Sequence, residues 1–399
     1  MGALWPDVRR LSRHDTRVPG RADETNSGSD PGVTTTAEPK IGIDVRMADS
    51  PGIGTYLRQV LPRVVSARPN WQFTLVGNPM TVSMLGWRGH SNVRVWPLTA
   101  PIYSLREQLA LRADRRRFDA FWAPHYNVPL GGRAPVVVTI HDLTHLTQPE
   151  YTHSPAKHAY ARFMFEVVRR RAAAILTVSE FTRDEFLRVV GAPRAAMTVA
   201  RNGVDRGWFA PSAAAQPSGA RPYILSIASM KPHKNLPALI DAFGSICDRV
   251  PHDLVLVGRN DGLRTADDRV RKAASRVGER VRLLGAVDDD ELHRLVCGAT
   301  AFVFASLYEG FGLPPLEAMA AGRACVVARA GSIPEVCGDA ALYFDPRDSE
   351  AIAARLFDVL TDDGLRAELA MRGQRRARMF DWTESAGAVV SALETAAGR

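Results

Sequence analysis

Short runs of β-branched and aliphatic residues recur along this chain, and the stretches between them repeat their apolar residues at helical spacing. A strand that is apolar at consecutive positions must be buried on both faces, so this alternation calls for parallel sheets covered by helices on either side. The first half supplies six such runs: IGIDV (41–45), QFTLVG (72–77), FDAFWAP (118–124), VVVTIHD (136–142), AAILTVS (173–179) and MTVARNG (197–203). The second half supplies six more: YILSIAS (223–229), DLVLVGR (253–259), VRLLGAV (281–287), AFVFAS (301–306), ACVVAR (324–329) and ALYF (341–344). Between the two series, APSAAAQPSGARP (210–222) interrupts periodicity with Ala, Ser, Pro and Gly and reads as a linker. The expected fold class is α/β: two βα-repeating domains of comparable size, 39–209 and 223–380, facing each other across a cleft. Ligands of such sheets sit beyond the carboxyl ends of the strands, so functional residues are expected in the loops just after them.

Length agrees, because 399 residues exceed one ordinary core at a rough guide of 100 to 200 residues per domain. No window offers the roughly 18 to 20 unbroken apolar residues of a membrane-spanning helix. Residues 1–38 have no apolar signal core and are rich in Arg, Ser, Thr, Gly, Asp and Pro, which predicts a disordered leader and not a secretory signal. Cys247, Cys297, Cys325 and Cys337 show no CxxC spacing and no clustered histidines. Neither a zinc site nor a disulfide framework is expected, and a reducing cytoplasm fits best. The formal net charge is +8, with arginine concentrated in LRADRRR (111–117), RRR (169–171) and RGQRRARMF (372–380). Such runs read as solvated helix faces or as attractors of anions, so peripheral contact with an anionic membrane at the inner face of the plasma membrane is a further expectation. Nucleic acid is not an expected partner, since no binding motif accompanies the charge.

The stretch YEGFGLPPLEAMAAG (308–322) carries the most chemistry. It follows the buried run AFVFAS, and its glycines and prolines predict a tight turn into a helix with Pro314 and Pro315 in the first turn and Gly322 at the stop. Gly310 and Gly312 permit positive φ and close backbone approach, while helix N-terminal amides suit a phosphate. Glu309 and Glu317 repel phosphate. As ionised carboxylates they accept hydrogen bonds only, so vicinal hydroxyls of a sugar or ribose are their natural partners. A helix-dipole role for Glu317 and an exposed loop position for Glu309 are the structural alternatives.

EGFGLPPLE resembles the E-x₇-E motif of retaining GT-B glycosyltransferases of glycosyltransferase family four, mannosyltransferase-like group 1, and the resemblance extends over nearly the whole ordered chain. It implies two Rossmann-like domains, a nucleoside diphosphate sugar as donor and neither metal nor other cofactor. It further implies that Glu309 lies by the donor sugar hydroxyls, Glu317 by the ribose, and the backbone of Gly310, Phe311, Gly312 and Leu313 by sugar and phosphate. The segment MFDWTESAGAVVSAL resembles the C-terminal helix that crosses back to the first domain, at about 381–399.

Other segments fill in the site. In SMKPHKNLPALIDAF, Asn235 is placed to cap a helix and Lys234 stands at its positive end, suited to a diphosphate. The resembling family usually adds an arginine a few residues earlier; here Ala228, Ser229 and Met230 stand in that region, so either Lys231 or a more distant arginine supplies the second charge, or one cation suffices. Solvated surface lysines are the plain alternative. SPGIGTYLRQVL offers Gly52 and Gly54, which bring backbone close to the transferred group or simply make a tight turn; Leu57 and the lack of an acid after VGNPM rule out a dinucleotide fingerprint. His141, beside Asp142 at a strand end, can bond a sugar hydroxyl or relay a proton, with capping of the strand end as the alternative. His145 reads as a surface residue and Ser179 as a helix N-cap. On the donor side, backbone near Arg259 and Val287 faces the base. By resemblance, Tyr103, Arg106, His125 and Tyr126 are acceptor contacts, against core aromatics or helix-surface charges. Asn202-Gly203 reads as hinge.

The expected activity is retaining, metal-independent transfer of a hexosyl group, mannosyl favoured and GDP-mannose preferred, to a hydroxyl of a glycan, glycolipid or small-molecule acceptor. A sugar-nucleotide epimerase, a phosphorylase or a non-catalytic nucleotide-sugar-binding protein on the same fold are the alternatives.

Overall fold

The computed structural model describes residues 38–114, 117–148, 154–210, 221–258 and 268–398. The expected leader, the middle of the linker and Arg259 lie outside the described residues. The first sheet has seven strands: β1 Lys40–Asp44, β2 Gln72–Gly77, β3 Val93–Pro97, β4 Ala120–Ala123, β5 Val136–Ile140, β6 Ala174–Thr177 and β7 Ala196–Val199, in the order β3-β2-β1-β4-β5-β6-β7. The second has six: β8 Tyr223–Ile227, β9 Asp253–Val257, β10 Val281–Gly285, β11 Ala301–Phe304, β12 Ala324–Ala328 and β13 Ala341–Phe344, ordered β10-β9-β8-β11-β12-β13. All pairings are parallel. Each apolar run expected from sequence meets a strand.

The strand that sequence reasoning missed is β3. It is an edge, it carries Arg94, and Pro97 ends it; none of its residues is fully buried. An edge strand needs neither a continuous apolar run nor two buried faces, so the signal that marked the others is weak here.

Each sheet buries both faces. In the first, Ile41, Ile43, Phe73 and Trp122 line one core and Phe121, Val138, Ile140 and Ile175 the other. The second sheet repeats this with Ile224, Leu254 and Val303 on one side and Leu225, Val255 and Phe302 on the other. The helix Trp382–Ala396 belongs to the first sheet's core through Trp382, Val389, Val390 and Leu393, packed beside the helix Ile53–Ala67. At about 1.5–3 kcal/mol per buried large side chain, these residues hold it there firmly.

Both sheets reverse their strand order once, β1 against β4 in the first and β8 against β11 in the second. Connections leave such a point toward opposite faces and open a crevice at the strand ends. The chain passes between the sheets at two adjacent places, where Val204 N–H donates to Phe380 O (3.2 Å) and a Cβ on Gly203 would fall 2.2 Å from the Trp382 nitrogen. Glycine at 203 is therefore required by close packing, and Asn202 beside it is buried. Among the described residues no helix is long and apolar enough to cross a membrane.

Candidate active site

At the second sheet's crevice the loops after β8 and β11 are tied together. Leu307 N–H donates to His233 O (2.8 Å) and Ser306 Oγ to the same carbonyl (3.1 Å). The 3-10 turn Pro232–Lys234 then directs Lys234 Nζ to Glu309 Oε1 at 2.5 Å and over the Phe304 ring at 5.6 Å. Lys231 lies on the same turn; burial first, then the Lys234 charge, pushes its pKa down, while Asp142 and Glu309 oppose. His233 between them is pushed down to about 3, by burial and by both lysines. The sequence thus collects two ammonium groups and a carboxylate beside one loop. Asn235 does occupy the N-cap position of the helix Leu236–Gly244, but not as the expected cap: its backbone is left-handed (φ 56°), and its Nδ2 donates instead to Pro346 O at 2.7 Å.

The loop Glu309–Gly312 is held from behind by a segment that sequence reasoning passed over. Ser332, fully buried, donates Oγ–H to Glu309 O (3.0 Å) and Phe311 O (2.8 Å), and a Cβ on Gly331 would lie 2.5 Å from Glu309 O. Small residues around 331 after β12 were the available signal. Gly312 has φ 102°, and the helix Leu313–Ala320 starts there with no side-chain cap. Pro314 and Pro315 carry no N–H, so the expected amide cradle shrinks to Gly312 and Leu313. Glu317, one turn on, is pushed up to about 8 by burial, with Asp289 and Asp205 adding and Arg58 opposing. Arg58, unmarked in the sequence, comes from the helix Ile53–Ala67 of the other domain and holds Ala48 O and Thr55 Oγ1.

The first domain supplies the opposite wall. His141 Nε2 sits 2.9 Å from Pro124 O. A carbonyl only accepts, so Nε2 carries the proton and Nδ1 keeps its lone pair. Burial pushes the ring down to about 4, against the pull of Asp142 and the carbonyl, so it is neutral at physiological pH. The two walls touch: a Cβ on Gly310 would fall 1.8 Å from His141 O, and Gly310 O accepts from Ser179 Oγ (2.6 Å) and Thr182 Oγ1 (3.1 Å). Ser179 also caps its own helix, Glu180–Val189, as expected, accepting from Thr182 N–H. Tyr308 accepts from Leu143 N–H (3.0 Å) and donates to Glu185. Glu335 reaches across as well, accepting from the Glu180 and Phe181 amides (3.0 and 3.1 Å) and from Arg201 Nε (3.0 Å).

The remaining expected residues fall in distinct places. Gly52 is exposed at φ 78° with open space where a Cβ would be, fit for close approach of a ligand; Gly54 is glycine for an internal reason, because its Cβ would lie 2.3 Å from Ala48 O. Ser229 O accepts from Lys231 N–H within the turn, and Val287 is partly buried after β10. Arg106 is exposed, and Tyr126 stacks on Phe165 at 4.7 Å and neighbours His145 at 5.7 Å. His145 is partly buried, and burial lowers its pKa, so it is no surface residue. His125 corrects its expected role: it is 3 % exposed, with Nε2 3.3 Å from Asp44 Oδ2 and Nδ1 accepting from Asn127 N–H, so both nitrogens face inward and neither is open to a substrate. It belongs to a buried ionic network that sequence reasoning missed, Asp44, Arg46 and Glu107, with Arg46 2.6 Å from each carboxylate. Burial opposes ionisation of Asp44, but His125 and Arg46 hold its carboxyl well below the usual range. No group of three His, Cys, Asp or Glu side chains among the described residues is arranged to hold a metal ion.

Two family models match adjacent stretches, Glycosyltransferase Family 4 over residues 70–208 and Glycosyl transferases group 1 over 212–376. O-antigen chain mannosyltransferase B of Escherichia coli is 33% identical over 274 residues, 65% of this chain and 70% of that protein. The chain belongs to glycosyltransferase family four. Another family relative, an O-antigen chain mannosyltransferase of Salmonella typhimurium, is 28% identical over 65% of this chain and 69% of its own length. Among solved structures, Anabaena HepE in complex with UDP-glucose superimposes with TM-score 0.71 over 90% of this chain and 100% of that one, at 19% identity. That likeness fixes the fold as GT-B, two Rossmann-like domains, and this glycosyltransferase carries its charged loops at the reversal points of both sheets.

Proposed function

We propose that this glycosyltransferase moves a hexosyl group, mannosyl favoured, from a nucleoside diphosphate sugar to a hydroxyl of a glycan, glycolipid or small-molecule acceptor, with retention of configuration. The observation that carries the reading is the Lys234–Glu309 pair at the β8/β11 reversal, with Lys231 beside it. Lys234 and Lys231 meet the diphosphate, together with the Gly312 and Leu313 amides. Glu309, released from Lys234, accepts from sugar hydroxyls. Glu317 accepts from the ribose. Nδ1 of His141 accepts a further sugar hydroxyl, since its other nitrogen is committed to Pro124. Mannosyl is favoured because the curated relatives above are mannosyltransferases by name.

In the reaction the bond from the anomeric carbon to the phosphate oxygen breaks, and a bond to the acceptor oxygen forms on the same face. The acceptor's proton passes to the departing phosphate oxygen. Negative charge grows on the diphosphate, and lysines already fixed in place lower the barrier most at that point. Glu309 is not assigned as a covalent nucleophile, because its partner is the lysine of the anionic end. The sugar nucleotide is a substrate, and no resident cofactor enters these steps.

Thermal melting with GDP, UDP, dTDP and ADP tests the donor site, since a ligand that binds only the folded state raises the melting temperature. GDP is expected to give the largest rise, and no rise with any of the four defeats the reading. Transfer of radiolabelled sugar is expected to drop at least tenfold in Glu309→Ala, of the order that loss of one charged contact causes. Undiminished transfer removes Glu309 from the site.

A further inference from the structure

The short helix Ile333–Cys337 is fixed inside the second domain from several sides. Ile333, Val336 and Cys337 are fully buried, and Arg376, from the helix Asp363–Ala377, donates Nη2–H to Glu335 O (2.6 Å) and Nε–H to Val336 O (2.9 Å). Ser332 at its start holds the Glu309 and Phe311 carbonyls, and a Cβ on Gly312 would fall 2.5 Å from Ile333 Cδ1. The side chain of Glu335 leaves the domain instead. It ends on three donors of the first domain, the amides of Glu180 (3.0 Å) and Phe181 (3.1 Å) and Nε of Arg201 (3.0 Å). A helix has no internal partner for its first amides. In the helix Glu180–Val189, Ser179 Oγ takes the Thr182 amide and Glu335 takes the two before it. One helix start is thus capped partly from its own domain and partly from the other.

The loop that carries Glu309 reaches the same helix start. Gly310 O accepts from Ser179 Oγ and Thr182 Oγ1, and Gly310 lies against His141 O. Glu335 adds a charge to what is otherwise a contact of hydroxyls with a carbonyl. An ionised carboxylate only accepts, its three partners only donate, and the positive end of the helix favours it. Arg201 also donates Nη2–H to Glu180 Oε1 (3.0 Å), which holds its guanidinium in place. Water reaches the contact, since 20% of the Glu335 side chain is exposed, so it can open and close at small cost. Resting on the glycosyl-transfer reading, we propose that Glu335 is a positioning residue, the latch that closes the second domain on the first and so sets the Glu309 loop against His141. It acts through the helix Glu180–Val189 and needs no contact with the sugar or the diphosphate.

Amide hydrogen exchange reads the latch directly, because opening it frees the Glu180 and Phe181 amides to water. In a peptide covering residues 176–190, taken from the full chain, Glu335→Ala is expected to speed exchange at those two amides roughly fivefold or more. GDP-mannose and UDP-glucose are the donor probes. Whichever binds is expected to slow the same exchange in wild type and not in Glu335→Ala, although the variant keeps the donor's rise in melting temperature. Release of the nucleoside diphosphate, followed without any acceptor, is expected to fall about tenfold in kcat, with KM for the donor within about twofold. Glu335→Gln keeps the size and one acceptor oxygen but turns an NH2 toward a donor, and a loss of about threefold is expected. Arg201→Ala should add less than about twofold when combined with Glu335→Ala, because both act on one contact. A merely structural residue would lower the melting temperature and leave the donor-induced slowing intact. Exchange in Glu335→Ala equal to wild type overturns the latch, and so does an undiminished kcat. If neither donor raises the wild-type melting temperature, the glycosyl-transfer reading falls and takes the positioning role with it, whereas exchange in the unliganded chain still judges the contact itself.

Discussion

Each sheet carries charge where its strand order reverses, and the two sets differ in how much water they see. Lys234 and Glu309 keep 17% and 16% of their side chains exposed, whereas Arg46 keeps 4% and its partners Asp44 and Glu107 none. The difference separates a site from a scaffold. A pair that water reaches can trade its partner for a ligand at small cost. Sealed charges cannot be parted without leaving one of them bare in a medium of low dielectric. The second domain's set is therefore poised for exchange, and the first domain's set fixes the shape of a wall.

The contrast can be broken first at its buried end. Arg46→Met leaves the buried Asp44 and Glu107 carboxylates without the guanidinium they share, and a loss of about 3–5 kcal/mol in urea denaturation is expected. A loss below about 1 kcal/mol refutes the scaffold assignment. Lys234→Gln should do the opposite: stability is expected within about 1 kcal/mol of wild type, while kcat/KM for transfer falls roughly 100- to 1000-fold, the range for removing one preorganised charge donor. Gly310→Ala tests whether the walls must touch. Its methyl would intrude on the His141 carbonyl at 1.8 Å, so the walls must part. Transfer is expected to fall roughly 100-fold, and the radius of gyration in solution scattering to rise.

The smallest effect concerns pH. Burial, with Asp289 and Asp205, holds a proton on Glu317 up to about 8, against an ordinary value of 4.5. In the binding mode proposed above, a ribose hydroxyl donates to the ionised Glu317 carboxylate, and nucleotide binding then expels that proton. Affinity should rise with pH, by at most about tenfold per unit, and level off above about 8. Calorimetric titration between pH 6 and 9 reads this, and Glu317→Gln should flatten the curve. Stability carries the opposite sign. The folded chain keeps a proton that the unfolded chain releases above 4.5, so this group's contribution is lost as pH climbs toward 8.

Much of the second domain's wall was legible in the sequence because its chemistry is local. Glu309, Gly312 and Glu317 lie within one turn-and-helix segment, and Lys234 lies just after a strand. Their approach to each other follows from parallel topology. The first domain's wall was less legible, since Asp44, Arg46, Glu107, His125 and Asn127 come from three separate segments and look in the sequence like ordinary polar residues near strand ends or, for Glu107, in the first turn of a helix. His125 shows the cost: a histidine after a strand reads as a contact until its distance to Asp44 is known. Asn235 shows another limit, because a capping residue type does not reveal a left-handed backbone. Edge strand β3 escaped for lack of a buried face.

The backbone passes from one domain to the other twice, and the passages lie side by side, bonded at Val204 and Phe380 and packed at Gly203 against Trp382. A single tether would leave each half free to swivel. Two tethers in contact act as the pin of a door, confining relative motion to bending about one line. Spin labels at the mouth should then report a narrow, one-dimensional spread of distances, and a broad isotropic spread would mean that the pin does not hold.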